Sequence, residues 1–504
     1  MTDRPPPALT PDWLGHRASA HPDRPALVAG RTRLTFRDLD RLTRRTARQL
    51  AALGVAEGMR VALLLPGGVS FAVLAHALAR LGTVMVPLNT RLAPAELAWQ
   101  VTDSRAEVVI AAGDGMADPA GVRTIGLDAL AAAPDADVPL RDRIDLSAPQ
   151  GIIYTSATSG RPKGVVLTFG NHWWNAVASA LHLGLRRDDC WLAPLPLYHV
   201  GGLAVLWRSV IYGIPAVVHE TFEPEAVNRE IDGGQVTLVS VVSTMLQRML
   251  EARRGRPYPP TLRAVLLGGG PAPPSLIEAC LEQGVPVAPT YGLTEAASQV
   301  ATLPPEEVAA RRGSSGRALF PVEVRIAPPG GAADRGGPPA EPGRTGEILV
   351  RGPTVMAGYA DRPEETARAL RDGWLHTGDL GSLDEDGYLY VLDRRDDLII
   401  SGGENVYPAE VEAVLRSHPA VLEAVVFGIT DAVWGEGVAA AVTLRPGASV
   451  REDDVRGFCA GRLARYKVPK RIWVVEDLPR SPGGKVMRRT LREWAEEAAA
   501  RERA

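Results

Sequence analysis

The chain has 504 residues, beyond the size at which one hydrophobic core usually stops growing, so two or more domains are expected. Apolar residues make up 45% and charged residues 23%, ordinary for a soluble globular protein, and the net charge of −3 gives no bulk attraction to nucleic acid or an anionic membrane. Cys190, Cys280 and Cys459 lie far apart with no C-x-x-C pair, which argues against a disulfide framework and against a thiolate zinc site.

The opening MTDRPPPALTPDW carries an acidic residue and four prolines where a signal peptide needs a basic and then an apolar run. Leu34-Thr35-Phe36 leads into an amphipathic helix with Leu39, Leu42, Leu50 and Leu53 on one face. Thr35 and Asp38 have the spacing of a capping box, and Gly54 ends the helix. Val61 to Leu88 is the most apolar long stretch, but Pro66, Gly67, Gly68, His76 and Arg80 interrupt it. It reads as strand Val61–Leu65, a helix over Ser70–Leu81 and a further strand Thr83–Pro87, with no membrane span. The default is a cytoplasmic enzyme.

Similar apolar runs recur at Ala216–His219, Leu238–Val242 and Ala264–Leu267. Strands alternating with helices predict an α/β protein whose parallel sheets are covered on both faces. Pro328 to Gly346 is rich in Gly and Pro and reads as an exposed loop. Past Arg394 the character changes: a helix from Pro408 to Ser417, strands Val425–Ile429 and Val438–Leu444, a helix over Glu452–Arg465 and a last strand Ile472–Val475. The boundaries follow as a large N-terminal domain, 1–393, and a small α+β C-terminal domain, 394–504.

Tyr154-Thr-Ser-Ala-Thr-Ser-Gly-Arg-Pro-Lys-Gly164 follows the apolar strand Gly151–Tyr154 and brings four Ser/Thr hydroxyls, two glycines and a lysine together. Hydroxyls, backbone N–H groups and one ammonium are the donors a polyphosphate needs. The spacing is not that of a Walker A loop, and taken alone the cluster reads as a polar surface turn. Tyr291-Gly-Leu-Thr-Glu295, Gly346-Glu347, Trp374-Leu-His-Thr-Gly-Asp379, Asp393-Arg-Arg-Asp-Asp397, Ser401-Gly-Gly-Glu-Asn-Val-Tyr-Pro408 and Leu478-Pro-Arg-Ser-Pro-Gly-Gly-Lys485 follow in order. With these, nearly the whole chain resembles the adenylate-forming superfamily of acyl-CoA synthetases, luciferases and peptide-synthetase adenylation domains. The resemblance implies that fold, with a mobile C-terminal domain. One position departs from the pattern: Ala157 stands where the loop usually has glycine. If that position needs positive φ, alanine costs about 1 kcal/mol or more.

The resemblance implies ATP, Mg²⁺ and coenzyme A as co-substrates and cofactor. Thr155, Ser156, Thr158, Ser159, Gly160 and Lys163 would hold the β- and γ-phosphates, Thr294 the α-phosphate, and Glu295 the metal. Gly268, Gly269, Gly270, Tyr291 and Gly292 would form the adenine pocket, with the tyrosine ring as a stacking face. Asp379, assisted by Arg394, would accept from the ribose hydroxyls. Lys485 would reach the reacting carboxylate and α-phosphate, a task suited to a point cation on a long stem. Asp396 takes the hinge position, and Gly402 and Gly403 would let pantetheine approach closely.

For the acid, Asn171-His-Trp-Trp174, Leu195-Pro-Leu-Tyr-His-Val-Gly-Gly202, Trp207-Arg-Ser-Val-Ile-Tyr-Gly213, Gly268-Gly-Gly-Pro-Ala-Pro273 and Ala297-Ser-Gln-Val300 are similar to the o-succinylbenzoate–CoA ligases of menaquinone biosynthesis. Such a substrate keeps a second carboxylate ionised, so its pocket must pair or solvate that charge. The resemblance puts Arg208 there, His199 at the wall near the activated carboxylate, and Ser298 and Gln299 as further candidates. Out of context Arg208 is a snorkelling helix arginine and His199 a structural residue. A fatty-acyl or aryl-CoA ligase remains the alternative within the superfamily, and a non-catalytic nucleotide sensor the alternative outside it. The partners are then a small carboxylic acid, ATP and CoA, without nucleic acid or a membrane span, and a homo-oligomer is left open.

Overall fold

The computed structural model describes residues 8–112, 121–155, 162–270, 272–327, 340–394, 399–479 and 487–503. The chain forms two compact units. The larger comprises Met1–Thr90, Val101–Ile153 and Gly164–Asp393, and the smaller Arg91–Gln100, Tyr154–Lys163 and Arg394–Ala504.

The expected amphipathic helix spans Phe36–Ala52 and opens with the Thr35–Asp38 capping box, in which each residue bonds the other's backbone. Phe36, Leu39 and Leu50 are buried, and Gly54 at φ +80° turns the chain after Leu53. Strand Arg60–Leu64, helix Val69–Leu81 and strand Val84–Pro87 follow as the apolar pattern predicts. That helix is apolar on nearly every side because it packs between Val84–Pro87 of one sheet and Pro25–Ala29 of another. Burial of side chains such as Phe71, Leu74 and Leu78 contributes roughly 1.5–3 kcal/mol each.

Two large sheets frame this core. One has seven strands, in the order Gly358–Tyr359, Lys163–Thr168, Pro149–Thr155, Val84–Pro87, Arg60–Leu64, Val108–Ala111, Arg123–Gly126. The other has nine: Arg317–Ala318, Ser298–Thr302, Val287–Leu293, Ala264–Leu267, Leu238–Val241, Trp191–Ala193, Ala216–Val218, Pro25–Ala29, Thr32–Thr35. Its centre is parallel, but both edges run antiparallel, so the expected all-parallel sheets are mixed. A third, five-stranded sheet carries Gly346–Arg351 beside Trp374–Leu383. Gly346 opens a strand here; a Cβ on it would lie 1.9 Å from the Ala327 carbonyl oxygen, so only glycine permits the pairing.

In the smaller unit, strands Val421–Asp431 and Gly435–Leu444 are the long antiparallel pair, and Arg471–Val474 joins in parallel. Alternation divides their side chains between two faces. Val426, Val438 and Val442 pack with Val411 and Leu415 of helix Pro408–Arg416, whereas Val425, Phe427 and Ala441 pack with Leu491 and Ala495. Leu491 and Ala495 belong to helix Arg488–Arg503, which the sequence pattern did not reveal because its apolar stripe is so narrow. The helix expected over Glu452–Arg465 stops at Ala460, with Gly461 as its C-cap.

Candidate functional site

In the larger unit, the chain leaves strand Ala264–Leu267 through Gly268 and Gly269, at the carboxyl edge of neighbouring parallel strands. Ligands in open α/β sheets bind along such edges. A Cβ on Gly268 would meet Thr290 Cγ2 at 2.8 Å, and one on Gly269 would meet Val242 Cγ1 at 2.9 Å. Gly269 also sits at φ +82°, so the turn admits glycine for conformational and steric reasons together.

Tyr291 and Asp379 are 88 positions apart in sequence and meet directly, the phenol donating to Asp379 Oδ2 at 2.7 Å. Both are buried. The tyrosine thus fixes the carboxylate, a role the expected stacking face did not include. Asp379 is set by its turn: Gly378, at φ +75°, donates its N–H to Glu347 Oε1 at 3.0 Å, and the Asp379 N–H donates to Thr377 Oγ1.

Thr294 and Glu295 form a short 3₁₀ turn after strand Val287–Leu293. Tyr359 donates its phenol to Glu295 Oε1 at 3.0 Å, and the Glu295 carbonyl accepts from the Met356 N–H. Tyr359 was not among the residues singled out from sequence. Ser298, just beyond, has φ +115°, rare for a residue with a side chain and worth roughly 1–3 kcal/mol of strain. Gly292 permits this bend, since a Cβ there would lie 2.0 Å from the Ser298 carbonyl oxygen.

Arg208 lies on helix Val200–Tyr212, 2% exposed. Its Nη2 donates to Asn175 Oδ1 at 2.5 Å, and its guanidinium carbon stands 5.0 Å from the Trp191 ring centroid. Asn175 in turn donates to the Gln299 carbonyl at 3.0 Å, linking Arg208 to Gln299 through a residue not identified beforehand. Arg208 Nε and Gln299 Oε1 are buried without hydrogen-bond partners among the described residues. His172 bonds Gln150 at 3.1 Å; burial, then the Arg208 charge, push its imidazole down to about 3, so it is neutral beside the guanidinium. His199 caps the start of the same helix, with its ring 4.8 Å from that of Tyr198. His199 and Arg208 are nine positions apart, about 13 Å along the helix axis. The structure therefore joins Arg208 to Gln299 and gives no direct contact between Arg208 and His199.

In the smaller unit, Thr155 ends strand Pro149–Thr155 and Lys163 begins strand Lys163–Thr168, its neighbour in the sheet. Ser156, Ala157, Thr158, Ser159 and Gly160, between them, lie outside the described residues, as do Asp396 and Lys485. Arg394 closes strand Leu389–Arg394, and its side chain also lies outside them. Gly402 and Gly403 have φ +61° and +82°. At Gly402 the close neighbour is Trp434, whose ring would be 2.3 Å from a Cβ. A separate cavity of about 600 Å³ in the larger unit is lined by Gly67, Gly68, Val218, His219 and Glu220 among others, and holds none of these site residues.

Residues 14–360 match the AMP-binding enzyme family and residues 410–485 its C-terminal domain. The chain is 51% identical, over 96% of its length and 97% of the relative's, to a 2-succinylbenzoate–CoA ligase of Geobacillus kaustophilus. Among solved structures it resembles the o-succinylbenzoate CoA synthetase of Bacillus subtilis at 42% identity. A double mutant with the product analogue OSB-NCoA gives a TM-score of 0.91, covering 96% of this chain and 98% of that one. The complex with ATP and magnesium gives 0.75, covering 96% and 100%. With the family matched across most of its length and relatives matched end to end, the chain belongs to the AMP-binding enzyme family.

Proposed function

We propose that this protein is an ATP- and Mg²⁺-dependent ligase that joins 2-succinylbenzoate to coenzyme A through an acyl-adenylate. The observation that carries the choice of acid is Arg208. Its guanidinium is buried, and no carboxylate pairs with it among the described residues. A buried cation without a counter-ion is costly, and the second carboxylate of a diacid would neutralise it through charge-assisted hydrogen bonds. A fatty acid offers no such group.

In the first half-reaction an oxygen of the activated carboxylate attacks the α-phosphorus of ATP. The bond to the β-phosphate bridging oxygen breaks, and pyrophosphate leaves. Anions converge, so donors and cations fixed in advance are what lower the barrier. Asp379, held by Tyr291, suits the ribose hydroxyls, while Thr155 and Lys163 suit the outer phosphates. By its family position Lys485 would follow the charge developing at the α-phosphate and carboxylate.

Glu295 is the candidate metal ligand, with one carboxylate oxygen steadied by Tyr359. No cluster of three ligating side chains occurs among the described residues. Mg²⁺ takes one or two carboxylates and completes its shell with phosphates and water. The ion supplies charge neutralisation on the phosphates.

In the second half-reaction the CoA sulfur, its proton lost, attacks the acyl carbon, and the bond to the AMP oxygen breaks. We assign residues 394–504 to a mobile domain turning about Asp396 between the two steps, as the family position implies. The test is AMP release dependent on both ATP and CoA, over a panel of 2-succinylbenzoate, benzoates, malonate and fatty acids. 2-Succinylbenzoate should give the highest kcat/KM; turnover of fatty acids with none of the diacid would overturn the assignment.

A further inference from the structure

Three arginines are buried among the described residues: Arg80, Arg208 and Arg253, at 3%, 2% and 2% exposed. A guanidinium stays protonated in proteins, so each brings a full charge into the interior. Two of them meet acids there. Arg80 Nη2 lies 2.5 Å from Asp12 Oδ2 and 2.5 Å from Asp40 Oδ1, and Arg253 Nη1 lies 2.9 Å from Asp232 Oδ1. Arg208 meets an amide instead, Asn175 Oδ1 at 2.5 Å. Where this fold buries a guanidinium for packing it supplies a carboxylate, and at Arg208 the described residues supply none.

The other groups around Arg208 are neutral too. His172 is kept uncharged beside it by burial. Burial likewise pushes the Tyr212 phenol up to about 12, and that hydroxyl donates to the Ala176 carbonyl at 2.5 Å. The Trp191 ring lies against the guanidinium while its Nε1 donates to Ser240 Oγ at 2.9 Å. A ring face attracts a cation but does not cancel its charge.

Asn175 is placed by its helix, Phe169–Leu183. The Thr168–Asn171 capping box sets the first turn, and Asn171 Nδ2 donates to the Pro353 and Val355 carbonyls at 2.9 and 2.8 Å. One turn on, Asn175 is 1% exposed and both ends of its amide are used. Its Oδ1 accepts from Arg208, and its Nδ2 donates to the Gln299 carbonyl at 3.0 Å. The second bond fixes which end of the amide faces the guanidinium. An aspartate here would have the same shape, but would neutralise Arg208 and set an oxygen against the Gln299 carbonyl. Arg208 Nε is left without a partner among the described residues.

We propose that Asn175 is a specificity-determining positioning residue: it orients the Arg208 guanidinium without neutralising it, and so reserves that charge for the second carboxylate of the acid. This rests on the reading of Arg208 given above. Asn175 acts through Arg208, so it governs which acid is bound and not the chemistry at phosphorus. Specificity of this kind arises because the wrong acid leaves a buried charge unpaired.

The full-length chain is assayed by CoA- and ATP-dependent AMP release with 2-succinylbenzoate and with its ring-carboxamide analogue, which has the same shape and no second charge. Asn175→Asp supplies the missing counter-ion and sets a like charge against the diacid. It should raise KM for 2-succinylbenzoate about ten-fold or more with kcat within about two-fold, while kcat/KM for the carboxamide is kept or improved. Asn175→Ser breaks both hydrogen bonds without adding charge, and decides the matter should the aspartate variant not fold. There the KM of the diacid should rise about three- to ten-fold and that of the carboxamide less than about two-fold. Equal losses on the two acids, or an unchanged ratio between them in either variant, would overturn the proposal and leave the ligase reading intact. An unmodified chain with no preference for the diacid over the carboxamide would remove both.

Discussion

The two ends of the larger unit's candidate site are built on opposite plans. At the end proposed for the nucleotide each acid already has its donor: Tyr291 on Asp379 and Tyr359 on Glu295. At the end proposed for the acyl group the polar side chains are left wanting. Arg208 has one hydrogen bond and an unpartnered Nε, Gln299 has an unpartnered Oε1, and His172 is held neutral. A rigid, satisfied set suits a ligand shared by every member of a family, because little reorganisation remains when it binds. An unsatisfied buried cation suits selection, because the wrong acid leaves it unpaired.

Substitutions at the two ends should therefore fail differently. Asp379→Ala should lower kcat/KM for ATP by about 10²–10³-fold whatever acid is supplied, and Tyr291→Phe by about 3–10-fold, the scale of one hydrogen bond. Initial rates at varied ATP check this, and a loss that depends on the acid would break the contrast. Arg208→Ala should lower kcat/KM for 2-succinylbenzoate by about ten- to a hundred-fold, but barely affect an analogue lacking the ring carboxylate. Equal losses on both acids would make Arg208 a structural residue.

Two buried histidines packed against the Trp207 ring confer an acid sensitivity. His76 and His172 both have imidazoles pushed down to about 3, chiefly by burial. In the unfolded chain they titrate at about 6.5, so between these values the unfolded state binds more protons. Stability is complete above about pH 6.5 and is lost as pH falls toward 3, by up to about 1.4 kcal/mol per pH unit for each group. Denaturant midpoints across that range should show the slope, and His172→Gln should make it shallower. Two smaller effects follow. Tyr359→Phe should raise the Mg²⁺ needed for half-maximal rate by a few-fold, measured by titration of the metal. Ser298→Gly should relieve the strained backbone and raise stability by about 1 kcal/mol in thermal unfolding, with a modest loss of activity.

Legibility in the sequence followed contact distance. Helix Phe36–Ala52 and its cap were readable because Thr35 and Asp38 are neighbours. The motifs that carry the family resemblance were readable because each is short. Tyr359, Asn175 and Trp434 were not, since their partners Glu295, Gln299 and Gly402 stand tens of residues or more away and nothing local announces the pairing. The hydrogen bond from Lys467 to Glu96, 371 positions distant, is the extreme case of such a pairing. Tyr291 was expected to offer its ring as a stacking face, whereas the contact with Asp379 is made by its hydroxyl. The early end of helix Glu452–Ala460 came from Gly461, which a periodic apolar pattern can mask.

The most direct measurement is an isotope trace through a full turnover, with 2-succinylbenzoate carrying ¹⁸O in the carboxylate that is activated. In an adenylate route the attacking oxygen stays on phosphorus when the thiol breaks the acyl carbon–oxygen bond. One ¹⁸O should therefore appear in AMP, together with 2-succinylbenzoyl-CoA. Label in pyrophosphate or inorganic phosphate, or thioester formed without label in AMP, would contradict adenylation, and absence of the thioester would contradict the assigned acid.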